Sequence, residues 1–319
     1  MRNFWETLPR PFFALAPLED ITDAAFRLLI ARHGKPHVMF TEFTSADGLI
    51  LADEDGQRKL RKKLLYSESE RPIVAQIFSS DSENIEKASR LVAELGFDGV
   101  DINMGCPANE VVKQNCGAAL IKDPKRAREI IRVAKKSGLP VSVKTRIGYN
   151  EDELDAWLPE LLAEHPSAIT LHARTRKEMS EVPAHWDAVA RGVVMRDKSG
   201  SKTLIVGNGD VQDIADAREK VKETMCDGVM LGRAIYGNPW LFANRKEEPT
   251  SHEKVEALLE HLALFEELLG GVVHYALMKK HFKAYISGWN GAKELRIKLM
   301  ETEEVEQARH ILENAILPS

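Results

Sequence analysis

The chain has 319 residues, of which 44% are hydrophobic and 29% charged, and a formal net charge of −5. Such a composition belongs to a globular chain with one large domain or two ordinary ones, and it excludes a disordered polymer. The mildly acidic balance gives no global nucleic-acid signal, so an RNA or DNA partner would need a local basic patch.

No apolar run reaches the roughly 18 residues of a membrane span. The start, Met1-Arg2-Asn3-Phe4-Trp5-Glu6, lacks the apolar core of a signal peptide. A cytoplasmic protein with no membrane partner is therefore expected. The three cysteines, Cys106, Cys116 and Cys226, have no CxxC spacing, which argues against a disulfide framework or a structural zinc site. No metal is expected.

In chain order, eight short strand-like runs stand out: Phe12–Pro17, Val38–Phe43, Ile73–Phe78, Gly99–Met104, Pro140–Arg146, Ala168–Arg174, Thr203–Asn208 and Gly228–Arg233. Most are continuously apolar, as strands covered by helices on both faces are. Helical patterns lie between them. Thr22–Arg32 has Asp20 and Thr22 as cap candidates. Asp81–Leu95 carries a stripe at Ile85, Ala88, Leu91, Val92 and Leu95. Asp123–Lys136 opens Asp-Pro and ends in lysines before Gly138. Glu151–Glu164, interrupted by Pro159, and Val211–Glu223 follow. Arg196–Lys202 reads as a polar loop tip. The alternation predicts an α/β fold, a (β/α)8 TIM barrel, over residues 1–243. An open doubly wound sheet is the runner-up, weakened because no GxGxxG follows the first strand.

Residues 244–250 are a charged, proline-bearing linker. The remainder, 251–319, has apolar residues only at helical spacing (Val255, Leu258, Leu259, Leu262, Phe265, Leu268, Leu269) and predicts a small all-α C-terminal domain. Gly270-Gly271 breaks its first helix. Further helices are expected over about 272–286, 292–301 and 303–315.

The most telling stretch is Asp101-Ile102-Asn103-Met104-Gly105-Cys106-Pro107. A buried strand ends there in a Gly-Cys-Pro turn, which presents a thiol instead of packing it. In a TIM barrel, function collects at the C-terminal strand ends. There the chain carries Pro17, Leu18, Glu19, Glu42, Gln76, Asn103, Cys106, Lys144, Arg146, His172, Arg174, Asn208, Gly209, Asp210, Gly232 and Arg233. Singly, each has a structural explanation, for instance Lys144 as half of a core ion pair. Jointly, on one rim, they point to a ligand. The glycines ending strands seven and eight, with Arg233, suit a phosphate. Gln76 suits a ring amide, and Lys144 suits negative charge on a reduced flavin.

These motifs resemble those of the tRNA-dihydrouridine synthases. The resemblance rests on Ala16-Pro17-Leu18-Glu19, Thr41-Glu42-Phe43, Asn103-Met104-Gly105-Cys106-Pro107 with Gly117-Ala118-Ala119-Leu120, Val143-Lys144-Thr145-Arg146, Leu171-His172-Ala173-Arg174-Thr175-Arg176, Gly207-Asn208-Gly209-Asp210 and Leu231-Gly232-Arg233-Ala234. The INMGCPA wording is nearer the bacterial subgroup B. The resemblance implies an FMN enzyme that takes electrons from NADPH, delivers hydride from flavin N5 to uracil C6 in tRNA, and protonates C5. Cys106 is then the general acid. Pro17, Leu18, Glu19, Gln76, Lys144, His172, Asn208, Gly209, Asp210, Gly232 and Arg233 bind FMN, and Asn103, Arg146 and Arg174 meet the substrate. Leu18 replaces a commoner methionine, Ala173 a commoner glycine, and Arg196–Lys202 is longer than the family pattern.

The C-terminal helices are the expected tRNA-binding part. Over 272–298 six Lys/Arg residues face one acidic residue, with Lys279, Lys280 and Lys283 as phosphate contacts and Tyr275, Phe282, Tyr285 and Trp289 interleaved. A monomer is expected. Competing readings are a flavin barrel of the dihydroorotate or dihydropyrimidine dehydrogenase kind acting on a free base, and a non-catalytic tRNA-binding protein. A Schiff-base aldolase using Lys144 is more distant.

Overall fold

The computed structural model describes residues 3–243 and 245–318. Its sheet contains β1 (Phe12–Leu15), β2 (Met39–Phe40), β3 (Thr44–Ser45), β4 (Ile73–Phe78), β5 (Gly99–Met104), β6 (Val141–Arg146), β7 (Ala168–His172), β8 (Leu204–Asn208) and β9 (Gly228–Leu231). All pairings are parallel, in the order β1-β9-β8-β7-β6-β5-β4-β2, with β3 also on β4. A bridge between Ala14 and Val38 joins the two ends. The result is an eight-staved, nearly closed TIM barrel.

The second stave is broken. The expected run Val38–Phe43 pairs only at Met39 and Phe40, and the ladder resumes at Thr44 and Ser45. In the gap the Thr41 hydroxyl accepts the Gln76 N–H at 3.1 Å, replacing a backbone partner. The Thr41 N–H still donates to the Val74 carbonyl at 3.0 Å, so the chain leaves the sheet at residues 42–43, where Glu42 is buried.

Inside the barrel, alternate residues Phe12, Ala14, Ala16, Phe40, Val74, Val206 and Met230 pack as one cluster, as the two-residue side-chain period requires. Trp5 closes the N-terminal end of that interior. It is 2% exposed and meets Phe12 edge-on at 5.7 Å. Burying an indole of that size is worth about 4 kcal/mol.

Around the barrel run α1 (Ala24–His33), α2 (Ala46–Leu51), α3 (Glu54–Lys63), α4 (Ser82–Glu94), α5 (Asn109–Val112), α6 (Pro124–Ala134), α7 (Leu154–Leu162), α8 (Trp186–Ser199) and α9 (Ile214–Thr224). Several boundaries differ from expectation for local reasons. Asp23, not Asp20 or Thr22, caps α1, accepting the Phe26 N–H at 2.9 Å. Thr22 turns its hydroxyl to the Leu18 N–H instead. Pro159 lies within α7 without splitting it. The Arg196–Lys202 loop is largely helical: α8 continues to Ser199 and stops at Gly200, whose φ is 68°.

The C-terminal region holds α10 (Ser251–Leu269), α11 (Lys279–Tyr285), α12 (Ala292–Glu301) and α13 (Val305–Glu313). Thr250 and Glu253 form a capping box at the start of α10. The helix expected over 272–286 is reduced to a 3-10 turn, Tyr275–Leu277, and the short α11. This region packs on α1. Phe26 stacks on His261 at 4.9 Å and meets His281 edge-on at 5.0 Å. Glu260 bonds Arg32 and His33, each at 2.7 Å. Its apolar core is continuous with that of the barrel helices. No helix among the described residues is long and apolar enough to cross a membrane.

Candidate active site

A cavity of about 410 Å³ opens at the C-terminal ends of the strands. All fifteen barrel residues singled out from the sequence as catalytic, cofactor-binding or substrate-binding line it: Pro17, Leu18, Glu19, Gln76, Asn103, Cys106, Lys144, Arg146, His172, Arg174, Asn208, Gly209, Asp210, Gly232 and Arg233. The three C-terminal lysines do not. Lys280 pairs with Asp20 at 2.7 Å, tying α11 to the loop after β1. Lys279 donates to the Met300 carbonyl at 2.8 Å. Lys283 is exposed. Phe282 and Tyr285 are fully buried, so they belong to the core of the C-terminal region and not to a stacking surface.

Strand β5 delivers the turn that carries Cys106. Asn103, at its C-terminal end, accepts the N–H groups of Gly105 at 3.1 Å and Cys106 at 2.9 Å. From the other side the Ala118 N–H donates to the Cys106 carbonyl at 3.0 Å. Gly117 allows this close return, with a φ of +60°. The Cys106 side chain is half-buried. Burial pushes its thiol above the ordinary cysteine range, and the Ala108 N–H, Lys144 and Arg146 offset this only in part. The group is a protonated thiol at neutral pH.

Cys116 donates its thiol to the Gln114 carbonyl at 3.3 Å. It packs with Phe78 and Val111 behind Cys106. Cys226 is buried just before β9.

Lys144, on β6 beside Asn103 in the ladder, has its ammonium lowered to about 8, first by burial and then by Arg146, while Asp101 and Cys106 oppose the shift. It makes no hydrogen bond or ion pair among the described residues, so it is not half of a core ion pair. Arg146 is different. Its guanidinium is spent on the carbonyls of Gly105 (2.9 Å), Thr175 (2.9 Å) and Met179 (3.1 Å), bracing the Cys106 turn against the loop after β7.

His172 ends β7. Burial holds it well below the ordinary imidazole range, helped by Lys144, Arg146, Arg174 and Arg233. The ring is neutral. Arg174 can only donate, so its contact at 3.3 Å makes His172 Nε2 the acceptor and leaves the proton on Nδ1. Asp210 sits between two arginines. It bonds Arg174 through Oδ2 and Arg233 through Oδ1 at 2.6 Å, and also takes the Ala184 N–H at 2.9 Å. The Arg174 bond chiefly lowers its carboxyl below the usual range. The phosphate-facing cation foreseen at Arg233 is thus anchored by the acid on the neighbouring strand end.

Two residues gain weight from the structure. Glu42 was noted on the rim without a role. It is 4% exposed and accepts the Asp20 N–H at 2.7 Å. Burial chiefly pushes it up to about 7, with Lys63 opposing. Asp101, within strand β5, is fully buried and bonded to Gln76 and Ser142, each at 2.6 Å. A charged residue in the middle of a strand covered on both faces was the available signal. Tyr236 also reaches the mouth of the cavity.

Comparison with known proteins identifies the family. The family model described as dihydrouridine synthase (Dus) matches residues 14–319. A probable tRNA-dihydrouridine synthase of Staphylococcus epidermidis is 41% identical over 313 residues, covering 98% of this chain and 95% of its own. Probable tRNA-dihydrouridine synthase 2 of Bacillus subtilis is 41% identical over 314 residues, covering 98% of this chain and 96% of its own. Among solved structures, a 2-naphthoyl-CoA reductase complex matches with a TM-score of 0.54 at 12% identity, over 72% of this chain and 49% of that one. Histamine dehydrogenase from a Rhizobium species matches at 0.53 and 13% identity, over 79% and 48%. The chain spans about half the length of these two, and the likeness is one of fold. By the family match and the curated relatives together, the chain belongs to the dihydrouridine synthase family.

Proposed function

We propose that this chain reduces uridines in tRNA to 5,6-dihydrouridine, with FMN as its flavin, NADPH as the reductant and Cys106 as the proton donor. The observation that carries the reading is the meeting of a protonated Cys106 thiol and an unpaired Lys144 ammonium in one cavity at the barrel mouth.

The residues present fit a flavin mononucleotide. Lys144 is a desolvated cation with no protein partner, as a site for an anionic ring edge requires. At the other side of the cavity, a Gly232 Cβ would meet nothing nearer than Ala16 Cβ at 3.8 Å, an ordinary contact distance. Gly209 has a φ of +132° that side chains rarely adopt. Backbone can approach a phosphate closely at Gly232, whereas a Cβ at Gly209 would meet Ala184 Cβ at 2.8 Å, so packing also requires that glycine. The backbone N–H groups of Asn208, Gly209, Asp210 and Gly232, with the Arg233 guanidinium, would hold the phosphate, and His172 Nδ1–H adds a neutral donor. Pro17, Leu18, Glu19, Gln76 and Lys144 would border the ring. When bound, the flavin supplies hydride chemistry.

The chain's own part is positioning and proton delivery. Asn103, Arg146 and Arg174 border the substrate side. Arg146 and Arg174 also hold the loops that enclose it, through the carbonyls of Gly105, Thr175, Met179 and Val182. The Cys106 Sγ–H carries the proton that C5 of the uracil receives. A thiol kept protonated by burial does this without a separate acid. The Lys144 cation offsets negative charge that develops as the ring is reduced.

A uracil within folded RNA must be turned out to reach this depth. Lys279, Lys280 and Lys283 lie on the C-terminal region that would grip the tRNA backbone. Lys280 bonds Asp20, next to the cavity-lining Glu19, which supports a grip near the mouth.

Dihydrouridine mapping in a host lacking its synthases tests the proposal. The intact chain is expected to restore dihydrouridine at defined positions, and Cys106→Ala to restore little or none. A host with no restored position refutes it. Reduction of free uracil or orotate as readily as tRNA favours the free-base enzyme instead.

A further inference from the structure

We infer that Asp101 is a positioning residue whose carboxylate fixes which way round the side-chain amides of Gln76 and Asn103 stand, and thereby aims the turn that presents Cys106. This rests on the proposed role of that turn.

Three neighbouring strands bring the groups into line. Gln76 pairs with Asp101 in the ladder, and Asp101 with Ser142. Both carboxylate oxygens are taken, one by the Ser142 hydroxyl and one by the Gln76 Nε2 amide, each at 2.6 Å. Burial pushes the carboxyl up to about 6, so at neutral pH it is mostly ionised and accepts only.

The consequence propagates. With its NH2 end on Asp101, Gln76 must turn its oxygen to Asn103, whose Nδ2 donates to it at 3.0 Å. Asn103 then has only its oxygen left for the turn, where it accepts the Gly105 and Cys106 N–H groups. Reversing either amide sets donor against donor or acceptor against acceptor. The relay has one sense, held at one end by the acceptor-only Asp101 carboxylate and at the other by the donor-only N–H groups of Gly105 and Cys106. A Gln or Asn amide alone has two nearly isosteric ends and no such preference.

Amide hydrogen exchange of Gly105 and Cys106 in the full-length, flavin-free protein reads the relay without reference to activity. Asp101→Leu is expected to lower protection of both amides roughly tenfold, the scale of one hydrogen bond, with the overall fold retained by circular dichroism. The double variant Asp101→Leu/Asn103→Asp is expected to restore it, because Gln76 can then turn its NH2 end to the new carboxylate, which accepts from the turn. Should Asp101→Leu fail to fold, Gln76→Met cuts the same relay one link later and must give the same loss. Unchanged protection in the single variant, or no recovery in the double variant, overturns the inference. A wild-type protein that reduces no tRNA sinks the proposed function and leaves the exchange result standing.

Discussion

Gly117→Ala is the sharpest single perturbation of the Cys106 turn that avoids the thiol itself. A Cβ at Gly117 would lie 2.7 Å from the Cys106 carbonyl oxygen, 2.9 Å from Val111 Cγ1 and 3.2 Å from Cys106 Cβ. The φ of +60° costs a non-glycine residue about 1–2 kcal/mol. Overpacking of a tight site adds about 1–3 kcal/mol. The sum is a loss of about 2–5 kcal/mol, unless the turn moves to relieve it. The relief path is outward displacement of Cys106, because Val111 backs the other side and the displacement strains only single hydrogen bonds, such as that from the Ala118 N–H to the Cys106 carbonyl at 3.0 Å. Urea unfolding gives the stability term, and single-turnover reduction of unmodified tRNA gives the functional one. A displacement on the order of 1 Å costs about 10²-fold in rate. A variant within 1 kcal/mol of wild type with unchanged turnover would refute the reasoning.

Arg27 and Glu70 form a fully buried pair at 2.8 Å, so Glu70→Gln should cost about 3–5 kcal/mol in urea unfolding, while a double change to Leu at Glu70 and Met at Arg27 recovers only part of it, because the Thr22 and Leu65 carbonyls and the Ser67 N–H lose their partners. Glu42, pushed up to about 7 by burial, binds its proton more tightly folded than unfolded. Its stabilising contribution is therefore present below about pH 4.5 and is lost as pH rises through 7. Glu42→Gln should flatten that slope and raise stability at pH 8 by on the order of 2–3 kcal/mol, and an unchanged slope would contradict the assignment. Lys144 is lowered to about 8, so turnover that relies on its cation should fall as pH rises through 8. Lys144→Arg should remove that limb even where it lowers the rate.

Strands buried on both faces were the most legible part of the chain. Ile73–Phe78 and Gly99–Met104 have the bounds expected from their unbroken apolar runs. Where burial is partial the signal fades. Helix α3 buries no residue and its basic sequence has no apolar stripe, so it went unmarked. Helix α8 went unmarked as well, because its apolar start, Trp186 to Val193, gives way to a polar stretch that resembles a loop.

The site divides in the same way. Rim residues follow from strand ends, since position along a parallel strand decides which end of the barrel a residue reaches. Their partners do not follow, because Arg174–Asp210–Arg233 and Ser142–Asp101–Gln76 depend on register between strands far apart in sequence. The C-terminal aromatics misled for a related reason. Helical spacing places Phe282 and Tyr285 on one face, but only the tertiary packing, in which Tyr285 meets His261 and His261 stacks on Phe26, reveals that this face is the core.

Proton delivery by Cys106 is the central claim, and its most direct test is reduction of an unmodified tRNA transcript by the purified, flavin-loaded protein with NADPH in D2O. Dihydrouridine at defined positions, with one solvent deuterium at C5 and its loss by about 10²-fold or more in Cys106→Ala, is the expected result. Dihydrouridine formed at the same rate by the alanine variant, or none formed by the intact protein, would contradict it.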